Sequence, residues 1–160
     1  MQRAVDFLMQ PDTVVVFDID GVLAPYEFTP RCHSVIDDDE WMELVRTGDP
    51  YGKLPPIKLI QRMIAQKGRK CVYVVSVSSP EEYQGKQRFV TDNYDIDAAH
   101  IRFVPSKAQK IDALAQIAAE CGVPQEQVAI VEDTVKTLDA IARASSFATI
   151  HVSSLFAFDE

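Results

Sequence analysis

Six residues of this chain are of types and in positions that could do chemistry together: Asp18, Asp20, Ser76, Lys107, Glu132 and Asp133. Each follows an apolar run. Asp18 and Asp20 leave the first run in Phe17-Asp18-Ile19-Asp20-Gly21-Val22-Leu23, and Ser76, with Ser78 close by, leaves the second. Ser106-Lys107 follows the third, and Glu132-Asp133-Thr134 the fourth. Two alternate carboxylates at the end of an apolar strand repel each other unless a cation binds. A lysine in the first turn of a helix opposes the helix dipole, and a negative partner nearby offsets that cost. A site that handles phosphate accounts for both features. Mg²⁺ prefers oxygen ligands and needs only one or two protein carboxylates beside substrate oxygens; Asp18 and Asp133 can supply them. A carboxylate is already ionised at neutral pH, so Asp18 can act as a nucleophile. Asp20 can protonate a leaving oxygen and then activate water. Taken singly, an acid at a strand end is more often a helix cap, and a serine or lysine there is usually solvated surface. The convergence of all six on one edge carries the reading.

That convergence requires a particular set of elements. Five β-branched or apolar runs, at 13–17, 71–75, 101–104, 128–131 and 148–152, have the continuous apolar character of strands buried on both faces of a parallel sheet. Helical patterns lie between them. Ile57, Leu59, Ile60, Met63 and Ile64 form a stripe ending near Gly68. Ser79-Pro80-Glu81-Glu82 is a helix start with a serine N-cap, proline at N1 and acids in the first turn. Ser106 and Gln109 are spaced as a capping box. The helix behind them carries Ile111, Leu114, Ile117 and Ala118 and stops at Gly122. A last helix spans 135–144. Strands alternating with helices predict a three-layer α/β/α sandwich around a mainly parallel, five-stranded, Rossmann-like sheet. In such sheets ligands bind at the carboxyl ends of the strands, where the six residues fall.

The chain has 160 residues, 47% of them hydrophobic, which predicts a single domain over residues 1–160. The segment 24–56 breaks the alternation. It holds Pro25, Pro30, Pro50, Pro55 and Pro56 and the acidic run Asp37-Asp38-Asp39-Glu40, with a helix expected over 39–46. It reads as a flap resting on the main domain. Its aromatic residues Tyr26, Phe28, Trp41 and Tyr51 are expected to pack rather than to bind substrate. Twenty-four acidic against sixteen basic residues give a net charge of −8, which disfavours nucleic acid and anionic membranes as partners. No segment reaches the roughly 20 apolar residues of a membrane helix, and residues 1–11 do not read as a secretory signal. Cys32, Cys71 and Cys121 give neither a disulfide framework nor a zinc site, which suits reduced thiols in a cytoplasm. His33, His100 and His151 show no metal spacing and receive no role.

The pattern resembles the haloacid dehalogenase-like superfamily of phosphohydrolases. Asp18-Ile19-Asp20-Gly21-Val22-Leu23 matches its first signature, DxDG[TV][LV]. Ser76 stands for its Ser/Thr motif, Lys107 for its lysine (Lys110 being the second choice), and Glu132-Asp133 for its acidic pair, all in family order. The resemblance implies a Mg²⁺-dependent phosphatase acting on a phosphate monoester through an aspartyl-phosphate at Asp18. Asp20 would be the general acid/base. Ser76 and Lys107 would hold phosphoryl oxygens. Asp18, Asp133, Glu132 and the Asp20 carbonyl would serve the metal. Val135-Lys136-Thr137 departs from the Gly or Asp that family members often carry beyond the acidic pair, and no stretch is long enough for a full cap domain. The implied protein is a capless or minimally capped member. Its substrate is a phosphorylated small molecule or macromolecule, and a homo-oligomer could supply the missing cap. The alternative is a non-catalytic phosphate-binding or regulatory module on the same fold. A receiver domain is disfavoured, because receivers carry their phospho-acceptor aspartate on a later strand.

Overall fold

The apolar runs form strands because their alternate side chains find helices on both sides. β1 (Val14–Phe17) sends Val15 and Phe17 into one core and Val14 and Val16 into the other, and all four are buried. The structure is a computed structural model and describes residues 3–31, 33 and 37–158. β2 (Val72–Val77), β3 (Ile101–Val104), β4 (Val128–Glu132) and β5 (Ala148–His151) complete a sheet in the order β3-β2-β1-β4-β5. Every pairing is parallel. Parallel sheets need cover on both faces, and they have it here. On one side lie α1 (Ala4–Leu8), α3 (Lys58–Lys67) and α4 (Tyr83–Tyr94), which bury Leu8, Ile60, Ile64, Phe89 and Val90. On the other lie α5 (Lys110–Cys121) and α6 (Val135–Ala144), which bury Leu114, Ile117, Leu138 and Ile141. The result is the expected three-layer α/β/α sandwich.

The strand order has a switch point. From β1 the chain moves outward through β2 to β3, then returns to lay β4 on the far side of β1. The loops leaving β1 and β4 therefore part in opposite directions and open a crevice at the carboxyl edge, where ligands bind in open α/β sheets. Register brings the two loops level. Phe17 pairs with Val131, and the Asp18 N–H donates to the Val131 carbonyl at 3.0 Å.

Helix ends follow local chemistry. The Ser79–Glu82 capping box forms: the Ser79 N–H donates to Glu82 Oε2 at 2.7 Å. Residues 80–82 are a 3₁₀ turn that runs into α4. Gly122 caps α5 at φ +66°, a left-handed position that glycine adopts without strain. The expected Ser106–Gln109 capping box does not form. The Ser106 hydroxyl instead meets the Gln109 side-chain oxygen at 3.0 Å, residues 107–109 make a 3₁₀ turn, and α5 begins only at Lys110. Ser76 lies inside β2, in register with Phe103, rather than beyond the strand, because a 3₁₀ turn over residues 69–71 delays the strand start to Val72.

The segment 24–56 contains α2 (Asp38–Thr47) and a 3₁₀ turn at Tyr51–Lys53. The acidic run acts as a helix start: Asp37 accepts the Glu40 N–H at 2.8 Å, and three acids follow in the first turn. No residue of α2 is buried; aromatic contacts seat it. Phe28 meets Trp41 at 4.8 Å and Tyr51 at 5.6 Å, and Tyr51 reaches Phe89 of α4 at 6.3 Å. Three of the four aromatics pack as expected, whereas Tyr26 is 46% exposed. No helix among the described residues is long and apolar enough to cross a membrane.

Leu114 is fully buried between α5 and the sheet. Leu114→Ala is expected to cost about 3 kcal/mol by leaving a cavity, read as a lower urea midpoint at unchanged m-value.

Candidate active site

The turn after β1 is built around one carbonyl. The Ile19 oxygen accepts the N–H groups of Val22, Leu23 and Ala24 at 2.9–3.1 Å, while Ile19, Val22 and Leu23 are fully buried. Burying Ile19 sends its neighbours Asp18 and Asp20 toward the crevice. Gly21 is required twice over. Its φ is +77°, and a Cβ there would stand 2.2 Å from Asp133 Oδ2. The glycine lets the β1 and β4 loops touch.

A cavity of about 300 Å³ lies at this edge. Asp18, Asp20, Ser76, Lys107, Glu132 and Asp133 all line it, so the six expected residues meet there, with Lys107 the exposed one among them. The lysine in contact with the acids is Lys110, which is 1% exposed and stands 2.5 Å from Glu132 Oε2 and 3.3 Å from Asp18 Oδ2. This departs from the expectation that placed Lys107 beside the acids. The 3₁₀ turn explains it, since starting α5 three residues later puts position 110 on the inward face of the first helical turn.

The electrostatics follow from burial. Water is largely excluded from Asp18, so desolvation pushes its carboxyl above the usual range, although Lys110 pulls the other way. Asp20 is raised as well, first by burial, against the opposing pull of Lys86. Burial alone would depress Lys110, but Asp18 and Glu132 outweigh it and hold the ammonium above its ordinary value. One oxygen from each of Asp18, Glu132 and Asp133 lies within 4.8 Å of the others. Three hard carboxylate donors facing one lysine suit a divalent cation. Thr134 steadies the set, donating its N–H to Glu132 Oε1 at 3.3 Å and its hydroxyl to Asp133 Oδ1 at 3.2 Å. The Ser76 hydroxyl is buried without a hydrogen-bond partner and borders the cavity. Such a group ordinarily costs about 1–3 kcal/mol, and an anionic oxygen in the cavity would satisfy it.

Residues outside the expected set complete the surroundings of Asp20. The Tyr51 hydroxyl donates to Asp20 Oδ1 at 2.7 Å, and Lys86 Nζ lies 2.8 Å from Oδ2. Burial and the adjacent Asp20 carboxylate push the Tyr51 phenol far above its ordinary value. Lys86 had a signal in the sequence: it shares the inward stripe of α4 with Phe89 and Val90, a place where an unpaired lysine would be costly. Tyr51 had none beyond its aromatic character. His151, given no role from sequence, places Nε2 3.1 Å from the Asp133 carbonyl, and His100 stacks on Tyr73 at 4.1 Å.

No protein-family model matches the chain, and no curated protein matches it. Solved structures do. The UTR4 protein of Saccharomyces cerevisiae is similar at TM-score 0.51 and 16% identity, over 86% of this chain and 89% of that one. The cobalt-bound deoxy-D-mannose-octulosonate 8-phosphate phosphatase YrbI of Haemophilus influenzae gives 0.48 and 19%, over 88% and 69%. The HAD domain of the effector Lem4 of Legionella pneumophila gives 0.47 and 15%, over 88% and 84%. The likeness to the UTR4 protein is one of fold.

Lys110→Met would leave Asp18 and Glu132 buried without their cation. It is expected to cost about 3–5 kcal/mol, whereas Lys107→Met should leave the denaturation midpoint nearly unchanged. Gly21→Ala should also lower the midpoint sharply, because neither its φ nor the Asp133 contact tolerates a Cβ.

Proposed function

We propose that the chain is a phosphatase that hydrolyses a phosphate monoester through an aspartyl-phosphate on Asp18, with Mg²⁺ as its cofactor. The observation that carries this reading is the unpartnered Ser76 hydroxyl, buried in the wall of a cavity whose other walls are Asp18, Lys110 and the Glu132-Asp133 pair. A cavity with acids alone would repel a phosphate. One with a buried lysine and a free hydroxyl beside a nucleophilic carboxylate is arranged to hold one.

In this reading Asp18 attacks phosphorus, forming an Oδ–P bond as the bond to the ester oxygen breaks. Asp20 gives the departing oxygen its proton. Asp20 then takes a proton from the water that attacks the aspartyl-phosphate, so inorganic phosphate leaves and Asp18 is restored. Ser76 and Lys110 donate to the phosphoryl oxygens as charge develops on them; Lys110 takes the part expected of Lys107. Asp18, Glu132 and Asp133 would hold Mg²⁺, whose charge offsets that of the phosphoryl dianion when it is bound. Residues 24–56 serve in place of a cap domain, with Tyr26 at the cavity mouth. The substrate is a phosphorylated compound with one ester phosphate reachable from that mouth, and the protein acts in the cytoplasm.

A panel of phosphate esters assayed with and without Mg²⁺ tests this. Asp18→Asn is expected to lower kcat by at least about a thousandfold, and EDTA should abolish turnover in the parent. Undiminished, EDTA-insensitive turnover in Asp18→Asn would overturn the mechanism. Inertness of the parent across the panel, with Mg²⁺ still bound, would favour a regulatory module on the same fold.

A further inference from the structure

Asp20 stands at a junction. It borders the cavity of about 300 Å³ that holds Asp18 and also a neighbouring one of about 210 Å³. In the phosphatase reading, an ester whose phosphoryl group lies in the first cavity would have the second open to its organic part, with Asp20 between the two. A proton donor at that point is useful only if its carboxyl stays there.

Two side chains hold it, and neither belongs to the acid, serine or lysine motifs. The Tyr51 hydroxyl donates to Oδ1 at 2.7 Å and Lys86 Nζ to Oδ2 at 2.8 Å, each from a residue 1% exposed. Lys86 is itself fixed. Its ammonium also donates to the Val77 carbonyl and the Ser78 hydroxyl, both at 3.0 Å, and Glu82 lies 3.4 Å away. An ammonium has three N–H donors, and three acceptors at hydrogen-bond distance set all of their directions. Glu82 is anchored in turn by the Ser79 N–H at 2.7 Å and the Trp41 indole N–H at 3.1 Å. Trp41 and Tyr51 come from residues 24–56, and Lys86 and Glu82 from α4 and the turn before it. Asp20 is thus gripped from two packed elements that otherwise have no catalytic part.

This arrangement is costly unless it does something. A buried lysine held by partly buried carboxylates recovers little stability over an apolar packing of the same volume. Stability alone gives no reason to place Lys86 and Tyr51 on the two oxygens of the one carboxylate that faces both cavities.

We infer that Tyr51 and Lys86 are positioning residues that fix the Asp20 carboxyl at the bridging oxygen of the ester and thereby set the efficiency of leaving-group protonation. The inference rests on the phosphatase reading above. Its signature is dependence on the leaving group. A p-nitrophenolate departs without a proton, whereas a primary alkoxide does not, so a misplaced Asp20 should slow an alkyl phosphate far more than p-nitrophenyl phosphate.

The test measures kcat and KM of the full chain and of Lys86→Met, Lys86→Arg, Tyr51→Phe and Asp18→Asn on both esters with Mg²⁺ present. Lys86→Met should lose about a hundredfold in kcat/KM on the alkyl ester and under about tenfold on p-nitrophenyl phosphate, because kcat/KM reports the step in which the leaving group departs. Lys86→Arg should recover part of that loss. Tyr51→Phe removes one hydroxyl without changing the packed ring, so it supplies the reading if Lys86→Met fails to fold; it should lose about tenfold on the alkyl ester and little on the aryl ester. Equal loss of kcat/KM on both esters, or no loss, overturns the positioning role while leaving the phosphatase intact. A parent inert toward both esters, or an active Asp18→Asn, overturns the phosphatase reading itself.

Discussion

The structure depends on how two strand-end carboxylates can be tolerated side by side. Register between β1 and β4 sets Asp18 next to Glu132, and both side chains are almost dry. Two such charges cannot both ionise in a low-dielectric pocket unless a cation separates them. Lys110 does so, from the first position of α5 and within 3.3 Å of each. Much else follows from this contact. α5 must start where it does for Lys110 to face inward, and Gly21 must lack a side chain for the β1 loop to approach Asp133. Even then Asp18, Glu132 and Asp133 exceed the one lysine in contact with them. The remaining negative charge is what a hard divalent cation would neutralise, and a phosphate dianion becomes acceptable only after that neutralisation.

The fold supplies the second requirement, which is convergence. β1, β2 and β4 are neighbours with parallel direction, so Asp18, Ser76 and Glu132 arrive at one edge despite wide separation in the chain. The switch in strand order at β1 and β4 sends the connections beyond them to opposite sides and leaves the crevice open, while Gly21 lets the two loops meet at Asp133. Charge is graded across it. Glu132 and Lys110 form the buried floor, and Asp133 and Lys107 are nearer the solvent. The overall charge of −8 and the local need for an anion therefore do not conflict.

The strands and the acids could be read from the sequence because they rest on local pattern. Continuous apolar runs mark strands buried on both faces, and an acidic residue immediately after such a run must lie at the sheet edge. The last helix over 135–144 and the arrest of α5 at Gly122 were equally local. Lys107 was expected ahead of Lys110 beside the acids because the choice depends on three residues winding as 3₁₀ or as α-helix, and Ser106-Lys107-Ala108-Gln109 carries no signal strong enough to decide. Tyr51 and Lys86 escaped because their roles are contacts across 31 and 66 positions, as the Tyr51–Asp20 and Lys86–Asp20 pairs show. Periodicity shows which residues face inward. It does not show which distant carboxylate they meet.

A short insertion thus reaches a carboxyl in the wall of the crevice. Residues 24–56 reach Asp20 through Tyr51 and reach Glu82 through Trp41, and both lines end on the same carboxyl. In the proposed reaction the Asp18 carboxylate takes the phosphoryl group while Lys110 holds it in place. Rapid acid quenching during turnover of a phosphate ester, followed by peptide mass spectrometry, tests this most directly. The expected result is a phosphoryl group on Asp18 that survives the acid quench and is labile to hydroxylamine. Steady turnover with no acyl-phosphate, or a phosphoryl group on Ser76 instead, would contradict it.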